Sequence, residues 1–151
     1  MRRREFLAML GATAAACPLT TLAQQTTKIP RIGVLWHAGN EQQEAIYLGA
    51  LRKGLNDLGY IEGKNIELVN RFADEHYDRF DALAADLVLA KVDIIVASIP
   101  PAASAAKRHT NTIPIVFALA ADPVGMHLVD SLARPGSNVT GLSNLTIEFS
   151  G

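Results

Sequence analysis

Few residues in this chain have the spacing that catalysis requires. The four histidines, His37, His76, His109 and His127, have neighbouring carboxylates only at Glu75, Asp78 and, five residues from His127, Asp122. No two of them sit at metal-ligand spacing on one helix face, so no metal is expected. No serine occupies a G-x-S-x-G elbow, and Ser98 has no base nearby in the sequence. A phosphate loop is missing as well: the turn after the first apolar run is His37-Ala38-Gly39-Asn40, with one glycine, which argues against dinucleotide binding. The reading is therefore of a protein that is not an enzyme and carries no cofactor. What remains can bind: Trp36 and His37, then Ser98, Ile99 and Pro100, then the run from Ala118 through Ala121 to Asp122. An aromatic plane, a hydroxyl and free amides at two helix starts would suit a small solute with an apolar body and an anionic end. Plainer roles are open for two of these residues, Trp36 as a core aromatic and Asp122 as a helix N-cap.

The elements that must hold those residues follow from periodicity. Arg31 to Trp36 is a short run between Pro30 and a loop, apolar on both faces, and reads as a buried strand of a parallel sheet. Leu48, Leu51, Leu55 and Leu58 recur at helical spacing and predict a helix over 41–58, ended by Gly59 in the left-handed cap position. Ile66 to Phe72 is a second strand whose polar Glu67, Asn70 and Arg71 place it at an edge. Phe80, Leu83, Ala84, Leu87 and Val88 give a second helix over 78–92, and Asp93 to Ser98 a central third strand. Pro101 suits the first turn of a third helix reaching about His109. Ile113 to Leu119 is a fourth strand, Asp122-Pro123 the start of a short fourth helix through Val129 and Leu132, and Asn138 to Leu142 a fifth strand. Five strands alternating with helices predict an α/β, doubly wound parallel sheet in the order 2-1-3-4-5, with its ligand crevice beyond the carboxyl ends of the strands.

With 151 residues the chain can bury one good core but not two full-sized ones. Its net charge of −1 becomes −3 once the three arginines and one glutamate of the first 23 residues are set aside, and no basic stripe is left for nucleic acid. Those 23 residues read as an export signal: Arg2, Arg3 and Arg4, a small and apolar run from Phe6 to Leu22, and Thr21-Leu22-Ala23 as a cleavage site. Arg3-Arg4-Glu5-Phe6-Leu7 resembles a twin-arginine signal, with Sec export open as the other route. Cys17, the single cysteine, is an apolar filler within that segment. Residues 24–29 are then a linker, 30–142 a solute-binding lobe, and 143–151 the start of a crossover. Periplasmic localisation follows, with the signal removed near Ala23.

Four segments carry a family resemblance. The runs GALRKGLNDLGYIEGKNI (49–66), YDRFDALAADLV (77–88), TIPIVF (112–117) and DPVG followed by SLARPGSNVTGLS (122–143) are similar to the ABC-transporter substrate-binding proteins of the tryptophan/tyrosine-type, uncharacterised transport-system group. The resemblance implies one lobe of a type I periplasmic binding protein, a solute closed between two lobes, and delivery to an ABC permease in the inner membrane. An amino acid or similar small organic solute is the implied ligand. Where the family usually has Gly-Thr-Pro after the third strand this chain has Ile99-Pro100-Pro101, and where it has Gly-Gly before Asp-Pro this chain has Ala120-Ala121. Such proteins are about twice this length, so a second lobe is expected and absent. The alternative use of the same fold is a periplasmic ligand-sensing module of a signalling system.

Overall fold

The computed structural model describes residues 28–144. The expected export signal, most of the linker and nearly all of the crossover segment lie outside the described residues. Within them, five strands form one parallel sheet in the order β2-β1-β3-β4-β5: β1 (Arg31–Trp36), β2 (Glu67–Phe72), β3 (Ile94–Ala97), β4 (Ile115–Ala120) and β5 (Val139–Ser143). Register is continuous across the centre, with Val34 beside Asn70 on one side and Val96 on the other. The predicted strand order and edge position of β2 are thus found.

Three helices cover the sheet: α1 (Ala45–Asp57), α2 (Phe80–Leu89) and α3 (Pro100–His109). Alternation along β1 divides the core, because successive side chains of a strand face opposite ways. Leu35, with Ile95, Ile115 and Phe117 from the neighbouring strands, packs on Phe80, Ala84 and Leu87 of α2 and on the alanines of α3. Val34 and Trp36 face the other way, onto Leu48 of α1. Gly33 lets α2 come close: a Cβ there would meet Leu87 Cδ1 at 2.9 Å and Val92 Cγ2 at 3.1 Å. The α3 contact surface is Ala102, Ala103, Ala105 and Ala106, all fully buried, so a short side chain at each position allows this helix to sit near both the sheet and α2.

Several expected boundaries are corrected. The first helix begins at Ala45 rather than 41, because Asn40 Oδ1 accepts the Gln43 N–H at 3.0 Å and holds 41–44 in a turn. Its apolar stripe ends before Leu58, which is exposed. The second helix opens as a 3-10 turn over Tyr77–Arg79 and stops at Leu89, before Lys91 turns left-handed at φ 53°. Gly59 does close α1 at φ 86°.

The fourth helix expected over 122–132 is not formed. Asp122 starts one turn, its carbonyl accepting from Met126 N–H at 3.0 Å and its Oδ1 from Gly125 N–H at 2.8 Å, and His127 then breaks the progression at φ 54°. Adjacent Leu128 and Val129 are both buried in the α3-side core, and Lys107 Nζ of α3 donates to His127 O at 2.7 Å. Burial of two consecutive side chains against one surface outweighs the weak helical preference of a segment that also contains Gly125.

Candidate functional site

At the carboxyl ends of β1 and β3 the sheet opens into a cleft of about 270 Å³ on the α1 side. Trp36, Val96 and Ile99 form its apolar sheet wall, and Tyr47, Ala50 and Leu51 of α1 face them. His37, Glu44, Ser98 and Ala118 complete the lining. Four of the residues predicted from sequence, Trp36, His37, Ser98 and Ile99, are therefore brought together. Pro100, Ala121 and Asp122 are not part of this lining. Pro100 is the first residue of α3, and Ala121 and Asp122 are exposed on the loop after β4, where Asp122 serves the Gly125 turn.

Trp36 is a core aromatic that also borders the cleft. The residue is 4% exposed and packs with Val34 and Leu48, yet part of it lines the cleft, and its Nε1 donates to Asn70 Oδ1 of β2 at 2.9 Å. Indole orientation is set by that bond, since a buried N–H must find an acceptor. Ser98 leaves the end of β3 with its N–H bonded to Leu35 O at 3.1 Å; its Oγ is buried and has no hydrogen-bond partner.

The expected pair of amide-rich helix starts is not present. Pro100 and Pro101 are the first two residues of α3 and have no N–H to offer, and Ala103 N–H already bonds Ile99 O at 3.2 Å. The other expected start, at Asp122, is the single turn described above.

A carboxylate was missed instead. Glu44, on the turn leading into α1, is 1% exposed and is the buried charged residue among those described. Its Oε1 accepts the Ala38 N–H at 3.1 Å and lies 2.8 Å from His37 Nδ1. That second contact is close enough for an ion pair but is not aligned as a hydrogen bond, and Nδ1 has no hydrogen-bond partner. The loop 37–40 is held rigid around it. Gly39 N–H donates to Gln43 Oε1 at 2.7 Å, while Asp74 N–H and Glu75 N–H donate to Ala38 O and His37 O at 3.0 and 2.7 Å. Asp74 and Glu75 adopt left-handed backbone, φ 56° and 63°, to do so, a conformation that costs a non-glycine residue of order 1 kcal/mol or more. The only sequence signal for Glu44 is its place four residues before Leu48, on the stripe side of the helix expected over 41–58.

Among the described residues no group of three or more His, Cys, Asp or Glu side chains could hold a metal ion. A smaller hollow between the end of α1 and the start of β2, where Arg52 Nε binds Glu62 Oε2 at 2.6 Å, lies away from the carboxyl strand ends.

Comparison with known proteins shows the family. The family described as ABC transporter substrate binding protein matches residues 31–148. The chain belongs to that family. A tyrosine-binding protein of Clostridioides difficile is 39% identical over 92 residues, which are 61% of this chain and 27% of that protein. Three solved structures are similar: a conserved domain protein from Vibrio cholerae (38% identity, TM-score 0.70, 78% of this chain and 40% of that one); the ligand-free, open form of a substrate binding protein with adhesive properties from Clostridium difficile (31%, 0.69, 77% and 39%); and an ABC domain from Streptococcus pneumonia in complex with L-Trp (30%, 0.67, 76% and 38%). This member of the family thus spans about a quarter of its curated relative and about two fifths of the solved structures. Its parallel sheet in the order 2-1-3-4-5, flanked by helices, is the periplasmic-binding-protein lobe that the resemblance implied.

Proposed function

We propose that residues 30–142 form the N-terminal lobe of an extracytoplasmic solute-binding protein that serves an ABC uptake system for an amino acid or similar small organic solute. One observation carries the reading: an apolar cleft with an aromatic wall and three convergent polar side chains, His37, Glu44 and Ser98, opens at the carboxyl ends of the parallel strands, where ligands of such sheets bind. A tyrosine-binding relative and an L-Trp complex among the similar structures support an amino acid with an aromatic body. In this reading a second lobe closes over the carboxyl ends of the strands and supplies the remaining contacts. Transfer to an inner-membrane permease, and export directed by residues 1–23 with removal near Ala23, belong to the same proposal. Among the described residues no helix is long and apolar enough to cross a membrane.

Ligand-observed NMR with a panel of amino acids, recorded on this chain and on its Trp36→Ala and Ser98→Ala variants, tests the assignment. One lobe makes only part of the contacts while the association entropy is met in full, so affinities of about millimolar are expected. Trp36→Ala should abolish the signal for aromatic amino acids. Unchanged binding in both variants would place the solute elsewhere.

A further inference from the structure

We propose that Glu44 is the counter-charge for a cationic amine, so that this lobe anchors its solute by the ammonium and not by the carboxylate. The proposal rests on the solute-binding reading above and specifies the chemistry of that same cleft. A carboxylate removed from water needs an opposite charge or a full set of hydrogen bonds. Glu44 has neither in full. One oxygen, Oε1, takes the Ala38 N–H and the off-line approach of His37 Nδ1. Among the described residues no donor reaches Oε2, and no lysine or arginine lies within salt-bridge distance of either oxygen.

The surroundings decide what can complete it. Glu44 lines the cleft beside Trp36, Leu51 and Ile99, an apolar setting in which a charge pair is screened little by solvent. A primary ammonium has three donors on a compact charge and fits a single free carboxylate oxygen. The Ser98 Oγ, buried at the same cleft without a partner, accepts a further N–H. An anionic group gains nothing comparable. Its natural partners would be the amides at the start of α3, where two prolines leave only the Ala102 N–H, and it would approach the Glu44 carboxylate, a group of like charge. The body of the solute then lies along Trp36, Leu51 and Val96, which gives the class: an amine-bearing organic solute with an apolar or aromatic body.

Three indole compounds separate the possibilities on the full chain. Tryptamine has the ammonium without the carboxylate, indole-3-propionate the carboxylate without the ammonium, and L-tryptophan both. In NMR titrations tryptamine should bind at least as tightly as L-tryptophan, with indole-3-propionate about tenfold weaker or more, the size expected when a buried charge loses its partner. Glu44→Gln keeps an acceptor for Ala38 N–H and should weaken tryptamine about tenfold, while indole-3-propionate binds no more weakly, because a like charge has been removed. If indole-3-propionate binds as well as tryptamine, or Glu44→Gln leaves tryptamine unchanged, the ammonium assignment is wrong and solute binding in the cleft stands. If none of the three binds, the aromatic solute reading falls with it. The comparison on the unsubstituted protein decides the matter even if the variant does not fold.

Discussion

The indole Nε1 of Trp36 and the Oδ1 of Asn70 are 2.9 Å apart, and that bond joins the end of the central strand β1 to the edge strand β2 beneath the cleft. It explains why a polar residue occupies a half-buried edge position. It also makes the single tryptophan of the chain a reporter on the site.

Asn70→Leu should therefore leave a mostly buried N–H without an acceptor and destabilise the fold by about 1–2 kcal/mol. Urea unfolding followed by Trp36 fluorescence measures it directly. A midpoint equal to that of the unsubstituted protein would show that water replaces the asparagine at no cost.

Two glycines should respond differently to alanine. At Gly33 the new methyl meets the ends of Leu87 and Val92, which can shift, and a cost of about 1–2 kcal/mol is expected. At Gly141 it meets the backbone O and the ring of Phe117, well inside contact distance, so β4 and β5 have to separate. Gly141→Ala should cost more than Gly33→Ala, about 3 kcal/mol or above. Parallel thermal melts give the order, and the reverse order would contradict the close approach of β5 to β4.

Acid should weaken the contact between α2 and α3. Arg108, bonded to Asp81 through Nε and Nη2 at 3.0 and 2.9 Å, with His109 Nε2 at 3.1 Å, holds the Asp81 carboxyl below its ordinary value of 3.8. A lowered carboxyl stabilises the folded state above its unfolded pKa, and that contribution is lost as pH falls from about 4 through the lower folded value. The pair is exposed, so the effect is small and salt-sensitive. Asp81→Asn should flatten the decline in melting temperature below pH 4, and an unaltered pH profile would remove Asp81 from the account.

Lys107 holds the loop after β4 by donating from Nζ to His127 O at 2.7 Å and to Leu128 O at 3.2 Å. Lys107→Met keeps the aliphatic stem and removes both bonds. Amide exchange across 122–132 should then quicken by about tenfold, while β1 and β3 stay protected. Equal exchange in both proteins would mean that burial of Leu128 and Val129 suffices.

Strand order and the apolar centre of the sheet were legible in the sequence, because they follow from local features. Arg31–Trp36 and Ile94–Ala97 are apolar on both faces, the leucines of α1 and the Phe80 to Val88 stripe repeat at helical period, and crossovers between parallel strands take one hand. Trp36, His37, Ser98 and Ile99 could be grouped for the same reason: each ends or follows a central strand. Other features depended on contacts far apart in the chain. Whether 122–132 forms a helix was decided by the docking of Leu128 and Val129 beneath α3, a choice that propensity over so few residues is too weak to make. Glu44 looks in sequence like the second of two surface carboxylates, with Glu41, in the polar run ahead of Ala45. Only the tertiary structure turns it inward, because the 37–40 loop, pinned by the backbone of Asp74 and Glu75, presents the Ala38 N–H to it and closes it off from water.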